Sequence, residues 1–394
     1  MAAAGSAMAA MACRVERVRD AARMAALSDK WAELAAQAAD ANVFYSPVFA
    51  LAAWRHLAPD SGLEWLLVWR DGAAAGDRGA RLIGLLPVVA AKLGGGLPVG
   101  VVAAWTHPLA PLSTPLLARG EEDAAAGALA GALGAAPGAG RFFLQRLGAA
   151  GTAQDALDAA LAAAGHPVRS ILAHRRACLS SQLDGEAYLR QSLGKKRTKE
   201  MRRLAARLGE QGGSGIEVVS DPAGIVAAGE TYLALEASGW KGARGSALAQ
   251  DEGGRTFFRD VLSGLARTGE VWVARLDGGG GAIASAVVLF SGRRAWLWKI
   301  AYDEAWSRFS PGVLLTCELT RRLLAQERID LVDSCAVADH PMIDHIWRER
   351  LEMADRLTPL RRGLLPLGAV AGAERARLAL RGAARALRRR VRGH

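Results

Sequence analysis

The chain has 394 residues, a formal net charge of +11 and 51% hydrophobic residues. This length is typical of two domains, and the apolar content is enough to bury a core in each. The positive charge is concentrated in Arg190–Arg207 and Arg361–His394 and the remainder is mildly acidic, which excludes a uniformly basic nucleic-acid-binding protein. The four cysteines are scattered, as expected for reduced cytoplasmic thiols. No apolar run is long enough to predict a transmembrane helix.

The first half of the chain alternates helical and strand-like patterns. Residues 1–17 carry no basic segment typical of a signal peptide and are predicted to be a disordered start. Two helices are expected between Val18 and Leu57, with a break near Asn42. The remaining pattern indicates a mixed α/β domain over residues 18–169. Its predicted strands are Glu64–Arg70, Arg81–Ala91 and Arg141–Leu147, and its predicted helices are Glu121–Leu133 and Ala153–Ala164.

A second domain is predicted over residues 170–360, where three apolar strands follow one another in the middle of helical segments. Gly-rich turns at Asp277–Gly281 and Gly292-Arg293 indicate hairpins between those strands. The predicted elements are helix Gly185–Leu208, strand Ile216–Val219, helices Ala223–Ala237 and Phe257–Ala266, strands Val271–Leu276, Ala282–Phe290 and Ala295–Ala301, helix Gly312–Gln326, strand Ile329–Asp333 and helix Met342–Glu349.

The Arg-rich tail, residues 361–394, is predicted to be a separate element. Ala373–Arg392 can form a helix with a narrow apolar face beside a row of arginines. Two interpretations stay open: an amphipathic helix that contacts an anionic membrane surface from the cytoplasmic side, and a disordered basic tail.

The sharpest local feature is the sequence Ser307-Arg308-Phe309-Ser310-Pro311-Gly312-Val313, which follows a strand and opens a helix. Ser310 suits the N-cap, and Pro311 suits the first helical position. The first-turn amides of a helix have no internal acceptor, so those of Ser310, Gly312 and Val313 are predicted to bind a pyrophosphate beside the cation of Arg308. The alternative is an ordinary Ser-Pro helix start.

Several stretches of the second half together resemble one family. They are Leu193-Gly194-Lys195-Lys196-Arg197-Thr198-Lys199 with Arg202-Arg203, Leu235-Glu236-Ala237-Ser238-Gly239-Trp240-Lys241-Gly242, and Ala301-Tyr302-Asp303-Glu304 with Ser310-Pro311-Gly312. In this order they resemble the CelD-like (BioF-like) GNAT acetyltransferases, relatives of the FemABX peptidyltransferases. The resemblance implies an α/β (α+β) fold of tandem GNAT-like domains, with mixed, mostly antiparallel sheets flanked by helices. It also implies acyl-CoA (acetyl-CoA) as co-substrate and no metal.

The chain departs from the family pattern at two places. The usual pyrophosphate signature, counted from Arg308, expects glycine where this chain has Pro311 and Val313. After the strand that ends at Asp333, many relatives resemble Gly-Asp-x-x-Tyr-Lys, whereas this chain reads Ala338-Asp339-His340-Pro341-Met342-Ile343-Asp344-His345. The use of CoA is therefore implied by the resemblance and is not established by the motif.

Basic and aromatic residues indicate where substrates bind. Lys195 and Lys199 share one face of a predicted helix and could form a cationic wall for a phosphorylated precursor, the CoA 3′-phosphate or a tRNA backbone. They could equally form a solvated helix face. Trp240 and Lys241 lie where a helix enters a Gly-rich loop, and Lys241 is expected to orient a carboxylate or phosphate of the acceptor.

Acyl transfer needs a base to remove a proton from an amine or hydroxyl. Glu236 and His340 are the predicted bases, and Asp333 at the end of a strand is expected to border the acyl group. Each has an ordinary alternative: a surface carboxylate for Glu236 and a loop or capping histidine for His340. Cys335 is a further candidate nucleophile, and its spacing from His340 and His345 does not form a recognised zinc site.

The sequence therefore predicts an acyltransferase that moves an acyl group to a small-molecule or cell-envelope polysaccharide precursor. Two alternatives remain open. One is FemABX-like transfer of an amino acid from aminoacyl-tRNA, the single case in which a nucleic acid is expected as a partner. The other is a non-catalytic component of an envelope-polysaccharide assembly.

Overall fold

The computed structural model describes residues 13–70, 79–93, 100–135, 140–148, 151–212, 215–361 and 366–392. The chain forms two compact units. Unit 1 contains Met1–Asp40, Gly62–Leu172 and Ala354–His394, and unit 2 contains Ala41–Ser61 and Ala173–Met353. The sequence predicts a domain boundary between residues 169 and 170. The structure assigns Ala41–Ser61 to unit 2 and Ala354–His394 to unit 1.

Unit 1 contains a mixed sheet in which neighbouring strands are mostly antiparallel. Its order is β1-β2-β3-β4-β6, with β5 beside β3, and β4 and β6 pair in parallel. The strands are β1 (Cys13–Val18), β2 (Glu64–Arg70), β3 (Arg81–Lys92), β4 (Gly100–Ala104), β5 (Leu116–Leu117) and β6 (Arg141–Gly148). The helices are α1 (Ala21–Ala26), α2 (Ser28–Gln37), α4 (Glu122–Gly134), α5 (Thr152–Ala163) and α12 (Leu367–Arg392).

In unit 2 the strands of the sheet lie in the order β7-β12-β11-β10-β9-β8. Here the parallel pairing is between β11 and β12. The strands are β7 (Arg169–Leu179), β8 (Gly215–Val219), β9 (Val271–Gly278), β10 (Gly281–Ser291), β11 (Arg294–Tyr302), β12 (Leu331–Asp333) and β13 (Glu349–Pro359), of which β7 and β13 each run from one unit into the other. The helices are α3 (Pro47–Leu57), α6 (Gly185–Glu210), α7 (Pro222–Ser238), α8 (Trp240–Ala243), α9 (Glu252–Ala266), α10 (Pro311–Leu324) and α11 (Ile343–Ile346).

Two layers of helices cover the sheet of unit 2. Ala286, Val288 and Leu297 pack with side chains of α6, α10 and α11 in one hydrophobic cluster. Trp298, on β11, contacts Phe49 of α3 and Phe258 of α9, with ring centroids 5.5 and 5.8 Å apart. Because alternate residues of a strand point to opposite faces, α6, α10 and α11 form one layer, and α3 and α9, together with α7 packed on α9, form the other.

Aromatic contacts explain why Ala41–Ser61 belongs to unit 2. Phe44 meets Trp296 with ring centroids 5.9 Å apart, and Phe49 meets Phe257 at 5.2 Å, both edge to face. Edge-to-face pairs contribute about 0.5–1.5 kcal/mol beyond the area they bury. These rings therefore hold a segment from early in the chain against β11 and α9.

The predicted fold class is confirmed, since both units have mixed, mostly antiparallel sheets flanked by helices. Two local differences stand out. Cys13–Val18 forms β1, so the predicted disordered start reaches too far, and residues 1–12 lie outside the described part of the chain. The predicted helix Met342–Glu349 shortens to α11, because β13 begins at Glu349. None of the described helices combines the length and apolar composition needed to cross a membrane.

A buried ion pair anchors the short strand β12. Arg176 of β7 bonds to Oδ2 of Asp333, and both side chains are almost completely buried. The second carboxylate oxygen of Asp333 accepts a hydrogen bond from the Cys335 amide at 2.9 Å. Only three residue pairs join β12 to β11 and only two join it to β7, so this ion pair is a major constraint on where β12 ends.

Replacing Arg176 with Met should lower the free energy of unfolding by about 3–5 kcal/mol, because it leaves the Asp333 carboxylate buried without its cation. The neighbouring Arg175 offers a matched control, since it pairs with Glu352 at the exposed surface. Arg175→Met should cost less than about 1 kcal/mol. Denaturant unfolding of both variants measures the difference, and equal losses would contradict the anchoring role of Arg176.

Candidate functional site

The candidate site lies where β11 and β12 separate. β11 pairs with β10 from Arg294 to Tyr302, but on its other side it pairs with β12 only from Arg294 to Trp296. The segment Leu297–Tyr302 therefore has one edge to which no strand in the described part of the chain pairs. Backbone N–H and C=O groups require partners, and such an edge can bind an extended, amide-containing ligand as an added strand.

A β-bulge in this segment reverses the orientation of the side chains that follow it. Leu297 lies opposite Val288 and Lys299 lies opposite Val287, so Trp298 is the extra residue. In a regular strand Leu297 and Lys299 would share one face. With the bulge, Leu297 stays in the cluster with α10, whereas Lys299 points to the α7 layer.

The start of α10 is strained and leaves one backbone donor available. Ser310 adopts a left-handed conformation at φ 51°, which costs a non-glycine residue about 1–3 kcal/mol. Its own amide donates to the Ser307 carbonyl at 2.9 Å, and the Val313 amide donates to the Ser310 carbonyl at 3.0 Å. The Ser310 and Val313 amides are thus already bonded within the protein, and their role in ligand binding stays a prediction. Pro311 has no N–H, so Gly312 carries the one amide of residues 310–313 without an acceptor among the described residues.

Gly312 places this helix start at the opening between β11 and β12. A Cβ atom on Gly312 would lie 3.5 Å from Tyr302 Cδ1, 3.6 Å from Met342 Sδ and 3.8 Å from Ile300 Cδ1. Ile300 and Tyr302 belong to the free segment of β11, and Met342 belongs to the loop after β12. An alanine would thus be tolerated and a large side chain would not. Arg308 is exposed nearby in sequence, with its guanidinium 4.8 Å from the Phe309 ring centroid.

Glu236 is a buried, fully hydrogen-bonded carboxylate of α7. Its Oε1 accepts bonds from Lys241 Nζ at 2.6 Å and Tyr232 OH at 2.9 Å, and its Oε2 accepts one from the Leu248 amide at 2.9 Å. Burial alone would raise the pKa of Glu236, but the charge and hydrogen bond of Lys241 together with the Leu248 amide lower it below its usual value. These contacts favour a structural carboxylate, which is a weak proton acceptor.

Lys299 is the titratable group that the sequence analysis misses. Burial, followed by the charge of Lys241, lowers the pKa of Lys299 to about 8, while the Glu236 carboxylate opposes the shift. Its Nζ lies 5.6 Å from the Trp298 ring centroid. A lysine that loses its proton near pH 8 can act as a base. The available signal in the sequence is a single lysine in the apolar run Ala295-Trp296-Leu297-Trp298-Lys299-Ile300.

Asp333 and Cys335 shape the end of β12. The Asp333 carboxylate is occupied by Arg176 and by the Cys335 amide, so it is held as an anchor within the protein. Cys335 has a left-handed backbone at φ 54°, which turns the chain away from the sheet. Burial raises the pKa of the Cys335 thiol well above its usual value, which disfavours the thiolate that a nucleophile requires.

His340 caps the following short helix. Its Nδ1 accepts hydrogen bonds from the Met342 amide at 3.3 Å and the Ile343 amide at 3.5 Å. A neutral imidazole that accepts at Nδ1 carries its proton on Nε2, so Nε2 is a donor. This arrangement favours the capping interpretation over the predicted base. Within the described ranges, no group of three or more His, Cys, Asp or Glu side chains could hold a metal ion.

Exposed apolar side chains lie on the segments that follow α7, β11 and β12. Trp240 is 47% exposed, with the Arg244 guanidinium 4.8 Å from its ring centroid. Its amide donates to Glu304 at 3.3 Å, next to the end of β11. Tyr302 and Val337 are also exposed. Lys241, predicted to orient the acceptor, instead pairs with Glu236.

The predicted basic residues lie elsewhere in unit 2. Lys195 and Lys199 are exposed on α6, in the layer that contains α10, whereas Glu236, Trp240 and Lys241 belong to the α7 and α8 region. The structure therefore brings Gly312, Tyr302 and Met342 together and groups Glu236 with Lys241 and Lys299. It does not group Lys195 and Lys199 with that carboxylate.

Comparison with known proteins agrees with this architecture. Residues 195–340 match the family described as Acetyltransferase (GNAT) domain. No curated protein sequence matches the chain. The chain is similar to the crystal structure of FemX at 10% sequence identity and a TM-score of 0.53, over 87% of this chain and 96% of that one.

Two further solved structures show a similar fold. The C-terminal DUF2156 domain of a protein named as a lysylphosphatidylglycerol synthetase, from Agrobacterium fabrum, has 11% identity and a TM-score of 0.50, over 90% of this chain and 97% of that one. A conserved protein of unknown function from Bacteroides thetaiotaomicron has 13% identity and a TM-score of 0.51, over 85% and 97%. At these identities the likeness concerns the fold. The chain thus carries a GNAT-like acetyltransferase domain at residues 195–340.

Proposed function

We propose that unit 2 transfers an acyl group from acyl-CoA to an amine or hydroxyl of a small-molecule or cell-envelope polysaccharide precursor. The observation that carries the proposal is the free edge of Leu297–Tyr302, which opens beside the available amide of Gly312. The GNAT domain match over residues 195–340 supports it. The narrower assignment to the CelD-like (BioF-like) group rests on the resemblance of the sequence motifs.

Donor binding would use two backbone features of the same opening. The amide groups of the pantetheine arm can pair with the free edge of β11 as an additional strand would. The pyrophosphate can accept a hydrogen bond from Gly312 at the N-terminus of α10, where the helix dipole favours negative charge. Arg308 is an exposed cation close to this turn in sequence.

The reaction would be a direct transfer. The acceptor nitrogen or oxygen bonds to the thioester carbonyl carbon, the carbon–sulfur bond breaks, and a backbone amide of the bulged segment stabilises the developing oxyanion. Lys299 takes the proton from the acceptor, and the resulting ammonium returns it to the departing thiolate, which leaves as the thiol. The charge of Lys241 lowers the pKa of Lys299 and the charge of Glu236 raises it. Both residues therefore act on the reaction through Lys299, as positioning residues.

Two alternatives keep the fold and change the activity. Similarity to FemX over most of the chain favours aminoacyl-tRNA as the donor, and the exposed cations of α6 could bind its backbone. The second alternative is a non-catalytic component of an envelope-polysaccharide assembly, which would need neither an open donor edge nor a titrating Lys299. Direct measurement of donor binding separates the three.

Titration calorimetry with acetyl-CoA should show saturable binding that Gly312→Trp abolishes, because an indole would fill the space between Tyr302, Met342 and Ile300. Gly312→Ala is the matched control and should bind within about threefold of the wild type, since its methyl group meets only ordinary contacts. Binding that survives Gly312→Trp in a folded protein would contradict the donor site. Binding of aminoacyl-tRNA and of no CoA would favour the first alternative.

The rate of acyl transfer should rise with pH through about 8, because Lys299 must lose its proton to act as a base. Both Lys299→Met and Lys299→Arg should remove this limb of the kcat/KM profile and lower the rate about 10²-fold or more. Glu236→Gln should shift the limb to lower pH, since the Glu236 charge raises the pKa of Lys299. The exposed Lys92→Met, on β3 of unit 1, is the control. A limb that persists unchanged in Lys299→Met would exclude Lys299 as the base.

Helix α12 carries a second surface, for which we propose a membrane as the partner. The helix runs from Leu367 to Arg392, and its first turns belong to unit 1, where Val370 and Ala371 are buried against Leu93 and Leu357. Further along, Leu380 is 72% exposed. We propose that this later part contacts an anionic membrane surface from the cytoplasmic side, because an exposed leucine followed by an arginine-rich sequence suits a lipid headgroup region.

A chain that ends at Arg377 should bind phosphatidylglycerol-containing vesicles at least about tenfold more weakly than the full chain, because each lost arginine contributes about 1 kcal/mol near an anionic leaflet. This end point keeps Val370, Ala371 and the Arg377–Glu374 pair, so unit 1 retains its packing. Cosedimentation measures the binding, and neutral vesicles provide the control. Equal partitioning of the two chains would exclude this membrane contact.

A further inference from the structure

A cavity of about 460 Å³ lies on the α6–α10 side of unit 2. Two parts of α6 line the cavity: Leu189 and Leu193 come from the first part, and Met201 and Leu208 from the second. Leu314 of α10 also lines it. Ile216 of β8 and Leu276 of β9 close it. Its volume is within the range of pockets that hold small molecules, about 300–1,000 Å³, and its lining is mainly aliphatic.

A break in α6 gives the cavity its shape. Gly194 interrupts the helix with φ 75° and ψ 163°, a left-handed region that favours glycine. Thr198 Oγ1 donates to the Gly194 carbonyl at 2.9 Å and fixes the first turn after the break. The two arms of α6 therefore meet the cavity at different angles, and residues of both arms line it.

Positive charge without a carboxylate partner stands beside this cavity. Lys195, Lys196, Arg197 and Lys199 are exposed and form no ion pair with another described residue. Lys195 lies three positions before Thr198, and Lys199 three before Arg202. Thr198 and Arg202 both line the cavity, so each lysine is a helical neighbour of a lining residue.

The charged side chains inside the lining, by contrast, are already paired. Arg202 and Arg321 both bond to Glu186, at 3.3 and 2.6 Å, and Arg321 also reaches Glu318 at 3.3 Å. These groups close one part of the wall and neutralise one another. The charge left for a ligand is that of the four cations after Gly194, outside the apolar chamber.

We propose that this cavity binds a single-chain anionic amphiphile, with its alkyl chain among the aliphatic side chains and its phosphate or carboxylate on Lys195 and Lys199. The aliphatic cavity suits an alkyl chain, and the unpaired cations beside it suit an anionic head group. A molecule that carries both groups therefore matches the site better than an uncharged alkyl compound or a free phosphate. The lining includes neither Gly312 nor any residue of β11, so the site is distinct from the proposed donor edge.

Calorimetric titration with dodecyl phosphate below its critical micelle concentration tests the proposal on the full chain. One-to-one binding is expected, at least about tenfold tighter than that of dodecyl maltoside, which has the same chain and no charge, and than that of inorganic phosphate. Equal affinity for the phosphate and the maltoside, or no binding of either, would overturn it.

Two neighbouring alanines of α6 provide matched variants. Ala205 lines the cavity and Ala206 does not, although both are exposed. Ala205→Trp should weaken dodecyl phosphate binding at least about tenfold by filling the chamber, and Ala206→Trp should leave it unchanged. Lys199→Glu should weaken binding, whereas Arg207→Glu, two turns further on, should not. Equal effects within either pair would contradict the assigned position.

A photoreactive alkyl phosphate, with a diazirine near the end of its chain, gives a readout that does not depend on any variant. Cross-links should map to the segments around Leu189, Met201 or Leu314, and labelling confined to other segments would overturn the proposal. Acetyl-CoA binding to Ala205→Trp should equal that of the wild type. Failure of this site and failure of the donor site are thus distinguishable.

Discussion

The site depends on how the backbone hydrogen bonds of β11 are distributed. The strand is paired along its whole length on one side and only over its first three residues on the other. A strand edge left in this state needs a partner, because unpaired N–H and C=O groups are costly once they are removed from water. The Arg176–Asp333 pair helps maintain the separation by fixing the end of β12, and the Cys335 turn directs the chain away.

The bulge at Trp298 links this edge to the ionisable groups. It keeps Leu297 in the packed layer with α10 and turns Lys299 toward α7, where burial and Lys241 lower its pKa and Glu236 limits the shift. Glu236 remains ionised because three donors surround it. The strained Ser310 adds a second constraint, since its conformation leaves Gly312 with an available amide. The proposed donor site and the proposed proton acceptor thus derive from one irregular strand and the loop that follows it.

Patterns within single elements could be read from the sequence. The apolar runs of β9, β10 and β11 and the Ser310-Pro311-Gly312 helix start were recognisable because each depends on neighbouring residues alone. The strands β7 and β13 were not recognisable, because charged residues such as Arg176 interrupt their apolar pattern. Arg176 is buried because it pairs with Asp333, which lies over 150 positions later in the chain. The roles of Glu236, His340 and Lys299 depend on hydrogen-bond partners and burial, which no spacing reveals. Ala41–Ser61 likewise belongs to unit 2 because its aromatic rings contact rings that lie more than 200 positions later in the chain.

Backbone amide hydrogen exchange with and without acetyl-CoA tests the central claim most directly, since it reports on the β11 edge itself. If the donor pairs with this edge, amides within Leu297–Tyr302, together with that of Gly312, should exchange more slowly when acetyl-CoA is bound, while those of β9 and β10 remain unchanged. Saturating acetyl-CoA that leaves Leu297–Tyr302 unprotected, or protects only other segments, would contradict the claim that this strand edge is the donor site.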